Sequence, residues 1–210
     1  MTAALDHLVV GCATLEQGER WAREVLGVAA AGGGAHPGWG THNRLVGMGP
    51  ELYLELIAPD PAQAPAPPRS FGLGSPAVRE AIRDTPALLT FVARTAGLVA
   101  LTEQLGGAAG EALAMSRGEL HWRFAAPPDP MGGLLPCLIE WPGGVSAATR
   151  LPDSGLRLRD LVAEHPDPAG LDQALAARGV GGIAVRPGPA PVLRATLLRP
   201  DGRVVVLATG

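Results

Sequence analysis

Two stretches decide the fold: LDHLVVGC at residues 5–12 and LYLELIAP at residues 52–59. Side chains alternate across a strand, so Leu8 and Val10 share one face of the first stretch while Leu5, His7 and Val9 share the other. In the second, Leu52, Leu54 and Leu56 oppose Tyr53, Glu55 and Ile57. Each strand therefore has one wholly apolar face, suited to packing on helices, and one apolar face broken by a single ionisable group. Between them TLEQGERWAREVLG (14–27) is spaced as a helix, with Leu15, Trp21, Val25 and Leu26 on its apolar side. Thr14 and Gln17 fit a capping box and Gly27 fits the stop. HNRLVGMG (42–49) reads as a further strand, and a short one is expected near 28–32, giving the order β-α-β-β-β.

The order then repeats. Residues 59–68 hold five prolines and read as an extended linker, and Ser75 and Pro76 open a short helix ending near Asp84. ALLTFVAR (87–94) is a strand, LVALTEQLGG (98–107) a helix, and EALAMSRG (111–118), ELHWRFAAP (119–127) and LLPCLIEWPG (134–143) are strands. A looser third copy starts at LRLRDLVAE (156–164), continues through a helix opened by Asp167 and Pro168, and closes with IAVRP, VLRATLLRP and RVVVLA. The expected organisation is a first unit at 1–60, a linker with a short helix at 61–86, a second unit at 87–150 and a third at 151–210. The third offers Arg194 and Thr196 but no His and Glu in register, and reads as structural.

Composition narrows the function. The chain has 210 residues, 47% of them hydrophobic, with a net charge of −3 and arginine as its only strongly basic residue. No basic run is present to neutralise phosphates, so nucleic acid is not an expected partner. No apolar run reaches membrane-spanning length, and the N-terminus enters a strand with no leader pattern. Cys12 and Cys137 lie in apolar strand patterns and read as reduced core residues. A cytoplasmic protein acting on a small molecule is expected.

Laying the units over one another places His7 opposite Thr90, His42 and Arg44 opposite His121 and Arg123, and Glu55 opposite Glu140. A carboxylate in an apolar strand costs several kcal/mol to desolvate unless a cation or strong donors meet it. Two readings follow. His7, Glu55 and Glu140 converge as an open one-nitrogen, two-carboxylate metal site, or Glu55 and Glu140 pair with Arg44 and Arg123. His42 and His121 stand at strand starts, where solvent-facing histidine is common. The glycine-rich stretch 32–40 carries His36 and Trp39 and reads as a lid, with Trp39 alternatively a packing anchor. His165 reads as a surface residue.

The repeated βαβββ unit, with His7 on its first strand and Glu55 on its fourth, resembles the vicinal oxygen chelate superfamily of glyoxalase I, extradiol dioxygenases and bleomycin-resistance proteins. LDHLVVGCATLEQGERW, GGGAHPGWGTHNRLVGMG and YLELIAPDP resemble its glyoxalase-like domain group in particular. The resemblance implies an α+β fold in which paired units form a cupped mixed sheet with helices on the outer face, the first two units sharing one site. It further implies a divalent metal (Zn, Ni, Mn or Fe) held at His7, Glu55 and Glu140, with Thr90 departing from the four-ligand pattern of glyoxalase I. The metal would chelate neighbouring substrate oxygens and stabilise an enolate-like oxyanion, in a lyase, isomerase or dioxygenase. Glu140 or Glu55 would then act as base, with Arg44, Arg123, His42, His121, His36 and Trp39 around the substrate. The alternative is a metal-free protein that sequesters a small ligand in the same cup. A homodimer is expected by the same resemblance.

Overall fold

The first helix forms where its caps place it. Thr14 has the extended backbone of an N-cap and accepts from the Gln17 N–H at 3.2 Å, while the Gln17 side chain accepts from the Ala13 N–H at 2.8 Å. Two orphan donors are thereby satisfied. The helix, α1 (Leu15–Trp21), widens into a π-helical turn at Ala22–Leu26, and Gly27 ends it in the left-handed conformation, φ 70°. In this computed structural model residues 2–67 and 70–209 are described. The first unit comprises β1 (Ala3–Gly11), α1, β2 (Ala31–His36), β3 (Thr41–Gly47) and β4 (Tyr53–Pro59). After α2 (Pro76–Ala81) the second follows: β5 (Ala87–Thr95), α3 (Leu98–Leu105), β6 (Leu113–Arg117), β7 (Leu120–Ala125) and β8 (Cys137–Glu140).

Together these units build one eight-stranded mixed sheet, ordered β2-β3-β4-β1-β5-β8-β7-β6. β1 and β4 pair in parallel, as do β5 and β8, and the antiparallel β1–β5 pair joins the two halves. The sheet curls until its free edges, β2 and β6, touch and leave a nearly closed barrel. Alternation sorts its side chains. Leu8, Val10, Leu54 and Leu56 pack outward with Leu15, Leu26, Leu98 and Leu101 of the helices. Val9, Ile57, Val92, Trp122, Phe124 and Ile139 point into the cup.

Three expectations change here. The second strand lies at 31–36 instead of 28–32, so half of the glycine-rich stretch is paired sheet, with only 37–40 left as a turn. The proline-rich stretch forms no helix or strand and leaves Pro61, Ala62, Ala64 and Pro65 exposed, but it is anchored at Ala66, which packs into the cup's interior cluster with Phe71, Leu73 and Ile82 that follow it. Pro68, within the expected linker, lies outside the described residues. The third unit keeps its element order, as β9 (Arg157–His165), α4 (Pro168–Ala177), β10 (Ala184–Pro187), β11 (Val192–Leu198) and β12 (Val204–Ala208). Its strand order differs, β10-β9-β11-β12, because β10 pairs directly and in parallel with β9.

The glycines of β2 permit its close approach to β3. Gly33 sits at φ 97°, at the irregularity where the register with β3 slips, and a side chain there would run into the Asn43 carbonyl. Gly33→Ala is therefore expected to cost ~1–3 kcal/mol, read as a fall in the urea midpoint without a change in slope.

Candidate functional site

The cup holds a small cavity of about 50 Å³ that opens to solvent at its mouth. Six of the chain's eight aromatic residues line it: Trp39, Tyr53, Phe71, Trp122, Phe124 and Trp141. Their rings meet edge to face or tilted, Trp39 on Phe124 at 5.7 Å, Phe71 on Phe124 at 5.8 Å and Trp122 on Trp141 at 5.7 Å. Such arrangements are favourable for the ring quadrupole and leave ring faces for a guest. Phe71 holds a left-handed backbone, φ 52°, rare for a bulky residue, and belongs to the segment packed over the cup.

One wall is polar. Glu55 on β4 and His7 on β1 face each other with Nε2 3.5 Å from Oε2, both almost fully buried. The His7 ring stacks on Tyr53, its partner across the strands, at 4.4 Å. Asp6 is where alternation fails. A bulge in the β1–β5 register between Leu5 and His7 lets two successive side chains meet, and the Asp6 carboxylate takes the His7 Nδ1–H at 2.7 Å. The other Asp6 oxygen accepts from the Trp141 indole N–H at 3.0 Å. Burial by itself pushes the imidazole down, but Asp6 and Glu55 on its two nitrogens overcome that and hold His7 above its ordinary value of 6.5. For Glu55, burial alone pushes the carboxyl up, and His7 and Asn43 reverse this, keeping it ionised and below its ordinary 4.5.

Asn43 on β3 is the hub. Its amide nitrogen donates to Glu55 Oε1 at 2.6 Å and to His36 Nε2 at 3.1 Å. Its oxygen accepts from the Gly34 N–H at 3.1 Å and from Arg117 Nη1 at 2.8 Å. All four hydrogen-bonding positions of the amide are filled. His36 therefore carries its proton on Nδ1, which donates to Thr41 Oγ1 at 2.9 Å, and burial pushes it below the ordinary histidine value, so it is neutral. Arg117 comes from the edge strand β6, so the Arg117–Asn43 bond ties that edge to β3, the strand next to the other edge.

Of the residues singled out in the sequence, the structure brings His7, Glu55, His36 and Trp39 to the cavity. It does not bring Glu140, Arg123, His121, Arg44 or His42 there. β8 turns Cys137 and Ile139 inward, so Glu140 faces the helix side, where it accepts from the Gly97 N–H at the start of α3 and from Arg123 Nη1, both at 2.8 Å. The overlay of Glu140 on Glu55 is thus one residue out, and one residue is enough to change faces. By the same parity β7 turns Trp122 and Phe124 inward and leaves His121 and Arg123 outside. β3 turns Thr41, Asn43 and Leu45 inward, while Arg44 pairs with Glu19 of α1 at 2.8 Å. Asn43, Phe71 and Arg117 line the cavity and Asp6 is buried behind His7; sequence reasoning missed all four. The Arg44–Glu19 and Arg123–Glu140 pairs use up the arginines expected at a substrate, and Thr90 donates to the Gly133 carbonyl at 2.7 Å.

This donor set does not fit a resident divalent ion. Glu55 is met by an imidazolium and an amide N–H, donors that stand where a cation would have to coordinate. Glu140 is on the opposite face, and among the described residues no group of three or more His, Cys, Asp and Glu side chains is disposed to hold a metal.

A family model of the glyoxalase-like domain matches residues 5–179. The chain belongs to the glyoxalase-like domain family. Among solved structures, a hypothetical protein from Staphylococcus aureus is similar over 100% of this chain and 87% of its own, at 14% identity and a TM-score of 0.62, which bears on the fold alone. Methylmalonyl-CoA epimerase from Mycobacterium tuberculosis is similar over 65% of this chain and 85% of its own, at 17% identity and a TM-score of 0.44. A Streptomyces coelicolor methylmalonyl-CoA epimerase reaches 0.48 at 16% identity, over 70% and 99% of the two chains. Comparison with curated proteins returns no match. No described helix is long and apolar enough to cross a membrane.

The buried pair sets a pH window. The stability from charged His7 is complete below 6.5 and lost as pH rises through its raised value; that from Glu55 is complete above 4.5 and lost as pH falls through its lowered one. Urea unfolding from pH 4 to 10 should show a His7→Gln variant less stable than the parent at neutral pH by ~1–3 kcal/mol, the gap narrowing on the alkaline side.

Proposed function

We propose that this glyoxalase-like cup binds a small, ring-bearing organic molecule without a resident metal, seating its apolar body among the tryptophans and phenylalanines and its polar end against the Glu55, His7 and Arg117 wall. The concentration of six of eight aromatic residues around one cavity carries this reading. Pockets of this kind bind through apolar lining plus a few placed polar groups. His7, oriented by Asp6, turns its Nε2–H towards Glu55, which leaves Arg117 as the donor open to a guest's polar end. Glu55 is held too acidic to be an efficient base near neutral pH, where the best bases titrate close to the working pH. Ligand binding therefore fits the wall better than proton abstraction does. Both walls come from one chain, so a second copy is not needed to complete the cavity.

The metalloenzyme reading keeps one point in its favour: His7 and Glu55 do meet, on the first and fourth strands of one unit. A metal would have to displace the imidazolium proton and the Asn43 N–H from Glu55. The two readings separate in one titration. Adding Zn, Ni, Mn or Fe(II) to chelator-treated protein is expected to leave its melting temperature unchanged. A screen of single-ring compounds is expected to quench the emission of the three cavity tryptophans in a saturable way, with or without chelator. One equivalent of tightly held metal, lost in a Glu55→Gln variant, would overturn the metal-free reading.

A further inference from the structure

The polar wall is saturated in one sense and unsaturated in the other. Asn43 has all four positions filled, and both nitrogens of His36 are engaged. Asp6 accepts from His7 and Trp141, and Glu55 accepts from Asn43 and faces the His7 Nε2–H. Arg117 is the exception. It lines the cavity half-buried and spends only Nη1, on Asn43 at 2.8 Å and, at 3.5 Å, towards His36. Its Nε and Nη2 make no hydrogen bond with any described residue, and neither is a sealed-off buried atom. No carboxylate lies within ion-pair distance of it among the described residues, although Glu55 and Tyr53 act on it electrostatically. Of the charged groups in the cavity wall, Arg117 alone keeps a donor edge unspent.

A guanidinium edge of two N–H groups matches two coplanar oxygens on one carbon. A guest anion at Arg117 would sit on the side of the guanidinium left free by Asn43. The ring faces of Trp122 and Phe124 come from β7, the strand paired with Arg117's own. The wider groove on the outside, lined by Pro50, Glu51, Arg94 and Glu140, has no comparable edge, because Arg94 pairs with Glu51 and Glu140 with Arg123.

We propose that the ligand of this cavity is a single-ring carboxylic acid, held as its carboxylate by the free Nε and Nη2 edge of Arg117 with its ring against the cavity's aromatic wall. This rests on the ring-binding reading above and adds the chemical class of the polar end. The test compares phenylacetate with its neutral isostere phenylacetamide, by tryptophan quenching and calorimetry at neutral pH, in the parent, Arg117→Gln and Arg117→Lys. The parent is expected to prefer the acid by about tenfold or more, the scale of a charge-assisted pair. Arg117→Gln should bring the acid-to-amide ratio close to one, and Arg117→Lys should restore part of it. Using the ratio within each protein removes any general loosening of the barrel when the Asn43 contact is weakened. Equal binding of acid and amide by the parent, or a preference that survives in Arg117→Gln, would overturn the proposal while leaving the ring-binding reading standing. If no single-ring compound, charged or neutral, binds the parent, the ring-binding reading itself fails and the proposal with it.

Discussion

A carboxylate in the wall of an apolar cup has to be compensated within the wall, and the solution adopted for Glu55 organises the rest of the site. An imidazolium meets one oxygen and an amide N–H the other. The imidazolium in turn requires a partner on its far nitrogen, which Asp6 supplies through a local bulge in β1. The amide must be held with its nitrogen towards Glu55, and it is held so because Gly34 and Arg117 both donate to its oxygen. Each group fixes the next, so that five strands contribute to one continuous network. Such networks are rigid when fully satisfied and costly when broken at one point.

The same network closes the barrel. β2 and β6 are the ends of the eight-stranded sheet, and they carry no ladder to each other. Arg117 of β6 reaches past Gly34 of β2 to bond Asn43 on β3, and a side chain added at Gly34 would crowd the Arg117 stem at 3.1 Å. The glycine-rich run of β2 thus serves two purposes, letting its backbone lie close against β3 and leaving room for the guanidinium. Ala66 and the segment from Ser70 to Ile82 then cover the cup, with Phe71 and Leu73 packed into its interior cluster.

Within the glyoxalase-like domain family this cup has a particular character. The positions that the resemblance associates with a metal are present at His7 and Glu55 and lost at Thr90 and Glu140, the first turned to a backbone carbonyl and the second to a helix start. Among the cavity's side chains, positive charge is carried by the His7 imidazolium and the Arg117 guanidinium. The second unit contributes Trp122, Phe124 and Ile139 to the same interior, with Arg117 as its charged group. The two halves have accordingly divided the work: the first is mostly polar, the second mostly apolar except for Arg117.

The sequence by itself determined what depends on short-range pattern. Apolar alternation in 5–12 and 52–59 marked the strands and put His7 and Glu55 on inward faces, because Leu8, Val10, Leu54 and Leu56 left the other face no alternative to the helices. Thr14, Gln17 and Gly27 located α1 by local hydrogen bonding and backbone freedom. The repeat of the β-α-β-β-β order announced the paired units. Only the tertiary structure decided the inward face of β3, which is polar on both sides, and of β8, which is apolar on both sides apart from Glu140, and a one-residue slip exchanges Asn43 for Arg44 or Ile139 for Glu140. Only it could reveal Asp6, since a bulge arises from the register between two strands and leaves no mark in either one alone. Arg117 is the extreme case: it is 74 residues from Asn43 in the chain, and its partner exists only because curling of the sheet brings two distant edges together.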